Sequence, residues 1–428
     1  MNPQQNHFID VNQLRVGLYV HLDLGWMDHP FTFSNFKLKD EEQIATIKKV
    51  GLKRLRYDPH RSDCDPLPLP EPIRSPRGPL VEPPVEPIAE TAHHDRHQPD
   101  PAQRLQQLQH ALDESEKKFL AAANVAKQVT RNILTQTQTS MQQANTLIEG
   151  MVDSVLGESD VAIYAMSGNR SGDEHFNHPL NVTTLALMLS KSMDMTEEQA
   201  RILGLAALFH DIGKIEIPNR LLMKTEPLTK AEQSFMEQHS EIGARIAKQC
   251  GMSAEVVELI LHHHECADGT GYPKRLKQND TSLLARLLAI VNVYDNLCNP
   301  ALTVKALTPY EALAYMFAHQ RSKFDESLLK RLIKCLGVYP PGSVVQLSTG
   351  LHGIVVSVNM DKPLRPFVMV HDPASQTEES QLIDLRDDPS LNISLCLKPS
   401  QLPDDAMEFL KPRKRLSYFI SKDNQIAG

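Results

Sequence analysis

Gln199-Ala-Arg-Ile-Leu-Gly-Leu-Ala-Ala-Leu-Phe-His-Asp-Ile-Gly-Lys214 is an apolar helix that ends in an imidazole and a carboxylate side by side. Imidazole offers a neutral nitrogen ligand and a carboxylate can span two cations, so His210-Asp211 suits a bridged two-metal site. Lys214 then stands where it can meet a phosphate. Further ligands flank this pair. Glu174 and His178 are four residues apart and share one face of a helix. His239 lies mid-helix in Phe235-Met-Glu-Gln-His-Ser-Glu-Ile-Gly243. Leu261-His-His-His-Glu-Cys-Ala-Asp-Gly-Thr-Gly-Tyr-Pro273 follows, and the apolar helix Leu287–Asp295 carries Asn292 and Asp295. The cluster lacks thiolates, which disfavours structural zinc and suits divalent first-row metals. Close cations polarise a phosphoryl oxygen and lower the pKa of a bound water, so phosphodiester hydrolysis is the natural reaction.

Each piece alone has a plainer use. His239 could be a hydrogen-bonded helix histidine. His262 reads as structural or solvent-facing, because adjacent helix positions point about 100° apart. Glu265 could cap a helix or pair with a cation, and Asp268-Gly269-Thr270-Gly271 could be only a turn. What singles them out is their gathering in one stretch.

The other segments frame this one. The chain has 428 residues, 41% of them hydrophobic, which allows roughly two to four domains with real cores. A net charge of -8 provides no basic field for nucleic acid, and none is expected as a partner. Six scattered cysteines without a CxxC pair read as reduced thiols in a cytoplasmic protein. No apolar run suggests a signal peptide or a membrane span.

Residues 1–63 read as a small α/β domain. Gln13–Leu22 suits a strand broken at Gly17, Asp40 caps a helix ending before Gly51, and Leu52–Tyr57 suits a second strand. Trp26, Phe31, Phe33 and Phe36 read as its core. Residues 64–103 read as a linker, since eleven prolines fall between Pro66 and Pro101 and such composition favours extended chain; His93, His94 and His97 read as part of it. Residues 104–158 read as a long helical connector, either a coiled coil that dimerises the protein or a helix lying on the next domain. Residues 159–340 read as helical throughout, with capping boxes at Thr196/Gln199, Thr229/Glu232 and Thr308/Glu311, the last with Pro309 at the first helical position. Residues 341–398 change to strands at Ser343–Ser348, Gly353–Val358 and Pro366–His371, and 399–428 read as a tail whose Lys411–Arg415 run is a solvated surface.

On His178, His210-Asp211-Ile-Gly-Lys214, His239-Ser-Glu-Ile-Gly243 and His263-His264-Glu265 with Asp268-Gly269 and Gly271-Tyr272-Pro273, residues 159–340 resemble the HD-GYP family. Residues 6–63 likewise look like the N-terminal domain often found ahead of HD-GYP in bacterial proteins. The resemblance implies a mainly α architecture: an all-helical HD-type metal-dependent phosphohydrolase domain with a small α/β N-terminal domain and a small β C-terminal appendage. It implies a bacterial phosphodiesterase that converts cyclic di-GMP to pGpG or GMP, using two or three iron or manganese ions. By position, His178, His210, Asp211, His239, His263 and His264 would be metal ligands, and Glu174 the extra carboxylate of three-metal members. Lys214 would hold a substrate phosphate, and the loop of Asp268, Gly269, Gly271, Tyr272 and Pro273 would shape the site and dock partner proteins. Two departures stand out. Asn292 replaces the family's last Asp ligand, offering a carbonyl oxygen without charge; Asp295, one turn on, could partly substitute. Ala301 and Val304 replace two basic ligand contacts, leaving Arg286 and Lys305 as the nearby cations. These departures keep two alternatives open, a hydrolase of another phosphorylated nucleotide and a weakly catalytic cyclic di-GMP receptor or docking protein.

Overall fold

The capping boxes form as the sequence predicts. Thr196, Thr229 and Thr308 each accept from the backbone amide three residues on, and Gln199, Glu232 and Glu311 reach back to the cap. Asp40 accepts from the Gln43 amide at 2.8 Å and starts the first helix. The structure, a computed structural model, describes residues 7–22, 35–50, 54–59, 61–67, 101–157, 161–165, 177–300, 305–358, 362–373, 381–388, 390–412 and 416–422. Glu174, Trp26, Phe31, Phe33, His93, His94, His97, Ala301 and Val304 lie outside them, as do residues 413–415 of the basic run.

The chain divides into units Met1–Gln98 and Pro99–Gly428. The first holds strands β1 (His7–Asp10), β2 (Tyr19–His21) and β3 (Asn35–Lys37), helix α1 (Glu41–Val50) and strand β4 (Arg54–Asp58). Its antiparallel sheet has the order β1-β4-β2-β3. Ile44 and Ile47 of α1 bury against Leu18, Val20, Leu38 and Leu55, with Phe36 packed alongside. Gly17, at φ +98°, makes the turn into β2 that a side chain would strain.

The second unit begins with α2 (Pro101–Asn132) and α3 (Thr137–Leu156), then β5 (Val161–Ala165), α4 (Asn177–Lys191) and α5 (Glu197–Phe209). After a 3-10 turn at Ile212–Glu216 come α6 (Asn219–Leu222), α7 (Lys230–Glu237), α8 (His239–Gln249), α9 (Ala254–His262), α10 (Leu283–Cys298), α11 (Pro309–His319) and α12 (Glu326–Leu336). The helix α4 is buried on every side from Leu180 to Ser190, so it forms the core of the bundle. Within residues 104–158, α3 and Phe119 of α2 pack on the following helices. Ser140, Ala144, Ile148, Val152 and Val155 form the buried stripe of α3. Ile148 sits over Gly204 of α5, where a Cβ would come within 2.9 Å of its Cγ2. Phe119 of α2 packs on Leu180.

Strands β6 (Val344–Leu347), β7 (His352–Ser357), β8 (Phe367–His371), β9 (Gln381–Asp384) and β10 (Ile393–Leu397) follow, then α13 (Asp404–Leu410) and β11 (Tyr418–Lys422). Two expectations need correction here. The stretch read as helical throughout contains β5, and the stretch read as a tail contributes α13 and β11. β11 pairs antiparallel with β5, Tyr418 opposite Ala165 and Lys422 opposite Val161, within a sheet of order β10-β6-β7-β5-β11. Neither Val-Ala-Ile-Tyr-Ala nor Tyr-Phe-Ile-Ser-Lys alternates, and each becomes a strand only by finding a partner far along the chain.

The 3-10 turn after α5 lies directly against α8, because a Cβ on Gly213 would fall 1.9 Å from the His239 carbonyl oxygen. Gly213→Ala is therefore expected to cost about 3 kcal/mol or more by overpacking and to lower the thermal midpoint. Gly150→Ala in α3, where nothing lies within 4 Å, is expected to raise it slightly through helix propensity. Calorimetry of the two variants checks the contrast.

Candidate metal centre

The helices of the bundle deliver their ends to one place. His210 follows the last turn of α5, with Asp211 at the head of the 3-10 turn. His178 lies in the first turn of α4 and His239 begins α8. His263 caps α9 and His264 follows. The ring Nδ1 of His210, His239 and His263 lies 2.7, 2.7 and 2.6 Å from the carbonyls of Ala207, Met236 and Ile260. His178 Nδ1 lies 2.6 Å from Asp295 Oδ2. A carbonyl or carboxylate can only accept, so each Nδ1 carries a proton, and the Nε2 of the neutral ring keeps a lone pair.

Those lone pairs face one another. His178 and His210 Nε2 are 3.1 Å apart, and His239 and His263 Nε2 are 3.3 Å apart. With neutral rings neither member of a pair can donate, so a cation between them relieves the approach. The carboxylate of Asp211 joins the two pairs. Its Oδ2 lies 3.4 Å from His210 Nε2 and 3.7 Å from His178 Nε2; its Oδ1 lies 3.4 Å from His239 Nε2 and 4.0 Å from His263 Nε2. Among the described residues, Oδ1 is buried with no hydrogen-bond partner. Among the described residues, two groups can hold metal ions: His178, His210 and Asp211, and Asp211, His239, His263 and His264. The shared carboxylate and the orphaned Oδ1 fit a two-metal centre.

Protonation states agree with this. Burial holds the imidazoles of His239, His263 and His264 below the ordinary range, with crowding by neighbouring imidazoles adding to it. Burial would push the Asp211 carboxyl up, but Lys214, His210 and His178 outweigh it and hold it well below the usual range. Neutral imidazoles around an ionised carboxylate are what a divalent metal requires.

The loop beyond α9 closes against the centre. Tyr272 stacks on His264 at 4.5 Å between centroids, and its peptide bond to Pro273 is cis. Glu265 neither caps a helix nor pairs with a cation among the described residues; its buried carboxylate accepts from the amides of Lys274 at 2.7 Å and Leu276 at 2.9 Å. Gly271 has no room for a Cβ, which would lie 2.4 Å from the His264 oxygen and the Cys266 nitrogen. Asp268 accepts from the Thr270 amide and hydroxyl, making a turn in which Gly269 has φ +79°. His262, read as structural or solvent-facing, is buried.

The remaining expected residues are placed differently. Asn292 is buried in α10, with Oδ1 committed to Asn296 at 2.7 Å and Nδ2 unpartnered among the described residues. Asp295 does not substitute for it as a ligand, because Oδ2 holds His178 and Oδ1 accepts from Asn181 and Asn299 at 3.0 and 2.8 Å. Arg286 is turned to Asp325 at the start of α12 in a close ion pair, which removes it from the expected ligand contacts. Lys305 is exposed. Lys214 lies 2.6 Å from Asp211 Oδ2. Sequence reasoning missed Asn181 and Asn299, although each stands one helical turn from a residue it had singled out, His178 and Asp295.

Residues 128–328 match the HD domain, residues 7–163 a domain of unknown function (DUF3391), and residues 344–404 a KOW domain associated with the HD domain. A cyclic di-GMP phosphodiesterase of Pseudomonas aeruginosa is 30% identical over 367 residues, covering 85% of this chain and 84% of that protein. The cyclic di-GMP phosphodiesterase response regulator RpfG of Xanthomonas campestris is 33% identical over 154 residues, 35% of this chain and 40% of that protein. A 3'3'-cGAMP-specific phosphodiesterase of Vibrio cholerae is 28% identical over 159 residues, 37% of this chain and 30% of that protein. Fold and site together define an HD-domain protein with a metal-dependent centre. Within that class, the chain belongs to the HD-GYP family.

Asp211→Asn removes the one carboxylate that both groups share. It is expected to halve or abolish the metal bound per chain, measured by elemental analysis, while Asp268→Asn in the exposed turn leaves the metal content unchanged.

Proposed function

We propose that the chain is a metal-dependent phosphodiesterase that hydrolyses cyclic di-GMP to pGpG or GMP in bacterial second-messenger signalling. The observation that carries this reading is Asp211, with one oxygen facing each of two imidazole groups. Support comes from the Pseudomonas aeruginosa relative, which matches across most of both chains. His178, His210, Asp211, His239, His263 and His264 hold two divalent ions, iron or manganese in keeping with a donor set free of thiolate. Glu174 is the residue that would serve a third. Bound there, such ions polarise a phosphoryl oxygen and acidify a water. The Lys214 side chain is more exposed than that of Asp211, 39% against 15%, and in this reading its ammonium takes a phosphate oxygen of the substrate. Asp268 to Pro273 form the rim, with Tyr272 against His264 and an outer face for partner proteins.

No described helix is long and apolar enough to cross a membrane, and the cysteines are free; the bacterial cytoplasm is the compartment this reading assigns. A homodimer through residues 104–158 would not use the described apolar stripe of α3, which is covered within the chain.

A second reading, hydrolysis of a different cyclic dinucleotide, is favoured by one observation. Arg286 is spent on Asp325, and Ala301 and Val304 stand at the two basic positions of the family. A third, a receptor without turnover, is favoured by the uncharged Asn292.

The test is turnover of cyclic di-GMP and 3'3'-cGAMP by protein purified anaerobically and loaded with iron or manganese. Cyclic di-GMP is expected to be cut faster. The double variant His210→Ala/Asp211→Ala is expected to lose at least about a thousandfold in rate, and undiminished hydrolysis by it would sink the proposal. Faster cleavage of 3'3'-cGAMP selects the second reading, and full metal occupancy without turnover selects the third. Lys214→Ala is expected to lower kcat/KM roughly a hundredfold with metal content unchanged.

A further inference from the structure

Three of the candidate ligands are aimed by the backbone just ahead of them in the chain. His210, His239 and His263 each donate Nδ1–H to a carbonyl three residues back. His178 is aimed by a different helix, through Asp295 of α10. What fixes Asp295 comes from the far end of the chain. Its Oδ1 accepts from Asn181 Nδ2 at 3.0 Å and from Asn299 Nδ2 at 2.8 Å. Each of those amides gives its second hydrogen to the Leu416 carbonyl, at 2.9 and 3.2 Å. The Asn299 Oδ1 accepts from the Leu416 amide at 2.8 Å, and the Asn181 Oδ1 from the Tyr418 amide at 3.2 Å. Asn181, Asp295, Asn299, Ser417 and Tyr418 are all buried. The Tyr418 hydroxyl lies 3.2 Å from that of Tyr294.

An asparagine amide has two N–H groups and one oxygen in a single plane. In both asparagines, one N–H serves the carboxylate and the rest of the amide serves the backbone of Leu416 to Tyr418. The rotamer that supports Asp295 is thus the one the C-terminal segment selects. Without that segment each amide loses two partners in a buried site and is free to turn.

We propose that Leu416–Tyr418 is a positioning segment for the His178–His210 half of the metal centre, acting through Asn181, Asn299 and Asp295. The proposal rests on the metal reading of the centre and not on the identity of the substrate. Groups that hold a ligating histidine by its second nitrogen typically affect metal affinity 10- to 100-fold, roughly. Because coupling between two sites is reciprocal, metal bound at the centre must in turn hold the segment in place.

The experiment uses the full chain and manganese as the probe. Asn299→Ala, which touches no candidate ligand, is expected to weaken one manganese site about tenfold or more and leave the other at wild-type affinity. The spin-coupled two-manganese resonance is then lost at concentrations where the wild type shows it. In the wild type, the amides of Leu416 and Tyr418 are expected to exchange hydrogen more slowly with manganese than after chelation. Equal affinities at both sites in Asn299→Ala, with exchange unchanged by manganese, overturn the proposal. If Asn299→Ala does not fold, the wild-type exchange measurement decides alone: slowing supports the segment's role and no slowing overturns it. A wild type that binds no manganese overturns this inference and the metal reading together. One that binds manganese without cutting cyclic di-GMP overturns the substrate reading only.

Discussion

Four imidazole nitrogens, each with its proton committed elsewhere, point lone pairs at each other in two pairs across 3.1 and 3.3 Å. Such an arrangement is unfavourable by itself and becomes favourable only around positive charge. Helices buried on several sides hold it in place. His210 ends a helix whose Ala206, Ala207, Leu208 and Phe209 are buried, and His178 begins the helix that forms the core. The hydrophobic burial of those helices exceeds the local repulsion, since each fully buried aliphatic side chain contributes about 1.5–3 kcal/mol. The strain is thus carried by packing elsewhere, which is a common arrangement at sites that bind ions.

Close backbone approach is the second requirement. The 3-10 turn that carries Asp211 and Lys214 must lie against α8 for one carboxylate to reach both pairs. Gly213 and Gly243 permit it, with the Gly213 nitrogen 3.3 Å from where a Gly243 Cβ would be. Gly271 does the same for the loop that brings Tyr272 onto His264. These glycines need no unusual dihedrals; what they supply is the absence of a side chain. The site is therefore shaped as much by missing atoms as by ligands.

Sequence legibility follows from how local each cause is. The capping boxes, the His-Asp pair at the end of an apolar helix and the triple histidine were readable because their determinants lie within one or two turns. Short strands of the C-terminal sheet were readable at β6, β7 and β8, whose turns and β-branched residues are adjacent. β5 and β11 were not, because each is a strand only by virtue of the other. The same holds within the site. Arg286 looked like a free cation near the ligands, and only the fold brings Asp325 to it. Asp295 looked like a spare ligand, and only the fold shows that both of its oxygens are taken.

The charge balance gives Asn292 a sense that its position alone does not. Among the described residues, Asp211 is the only carboxylate in the two ligand groups. Two divalent cations held there would keep a net charge of about +3, and an aspartate in place of Asn292 would lower it by one. A cyclic dinucleotide carries two phosphodiester charges, so the surplus acts directly on the substrate. At an effective dielectric of about 20, one unit charge at 4 Å is worth about 4 kcal/mol. That is comparable to a lost arginine contact. By the family resemblance, Ala301 and Val304 stand where basic residues are usual and Asn292 where an aspartate is usual, and the two changes oppose each other in charge.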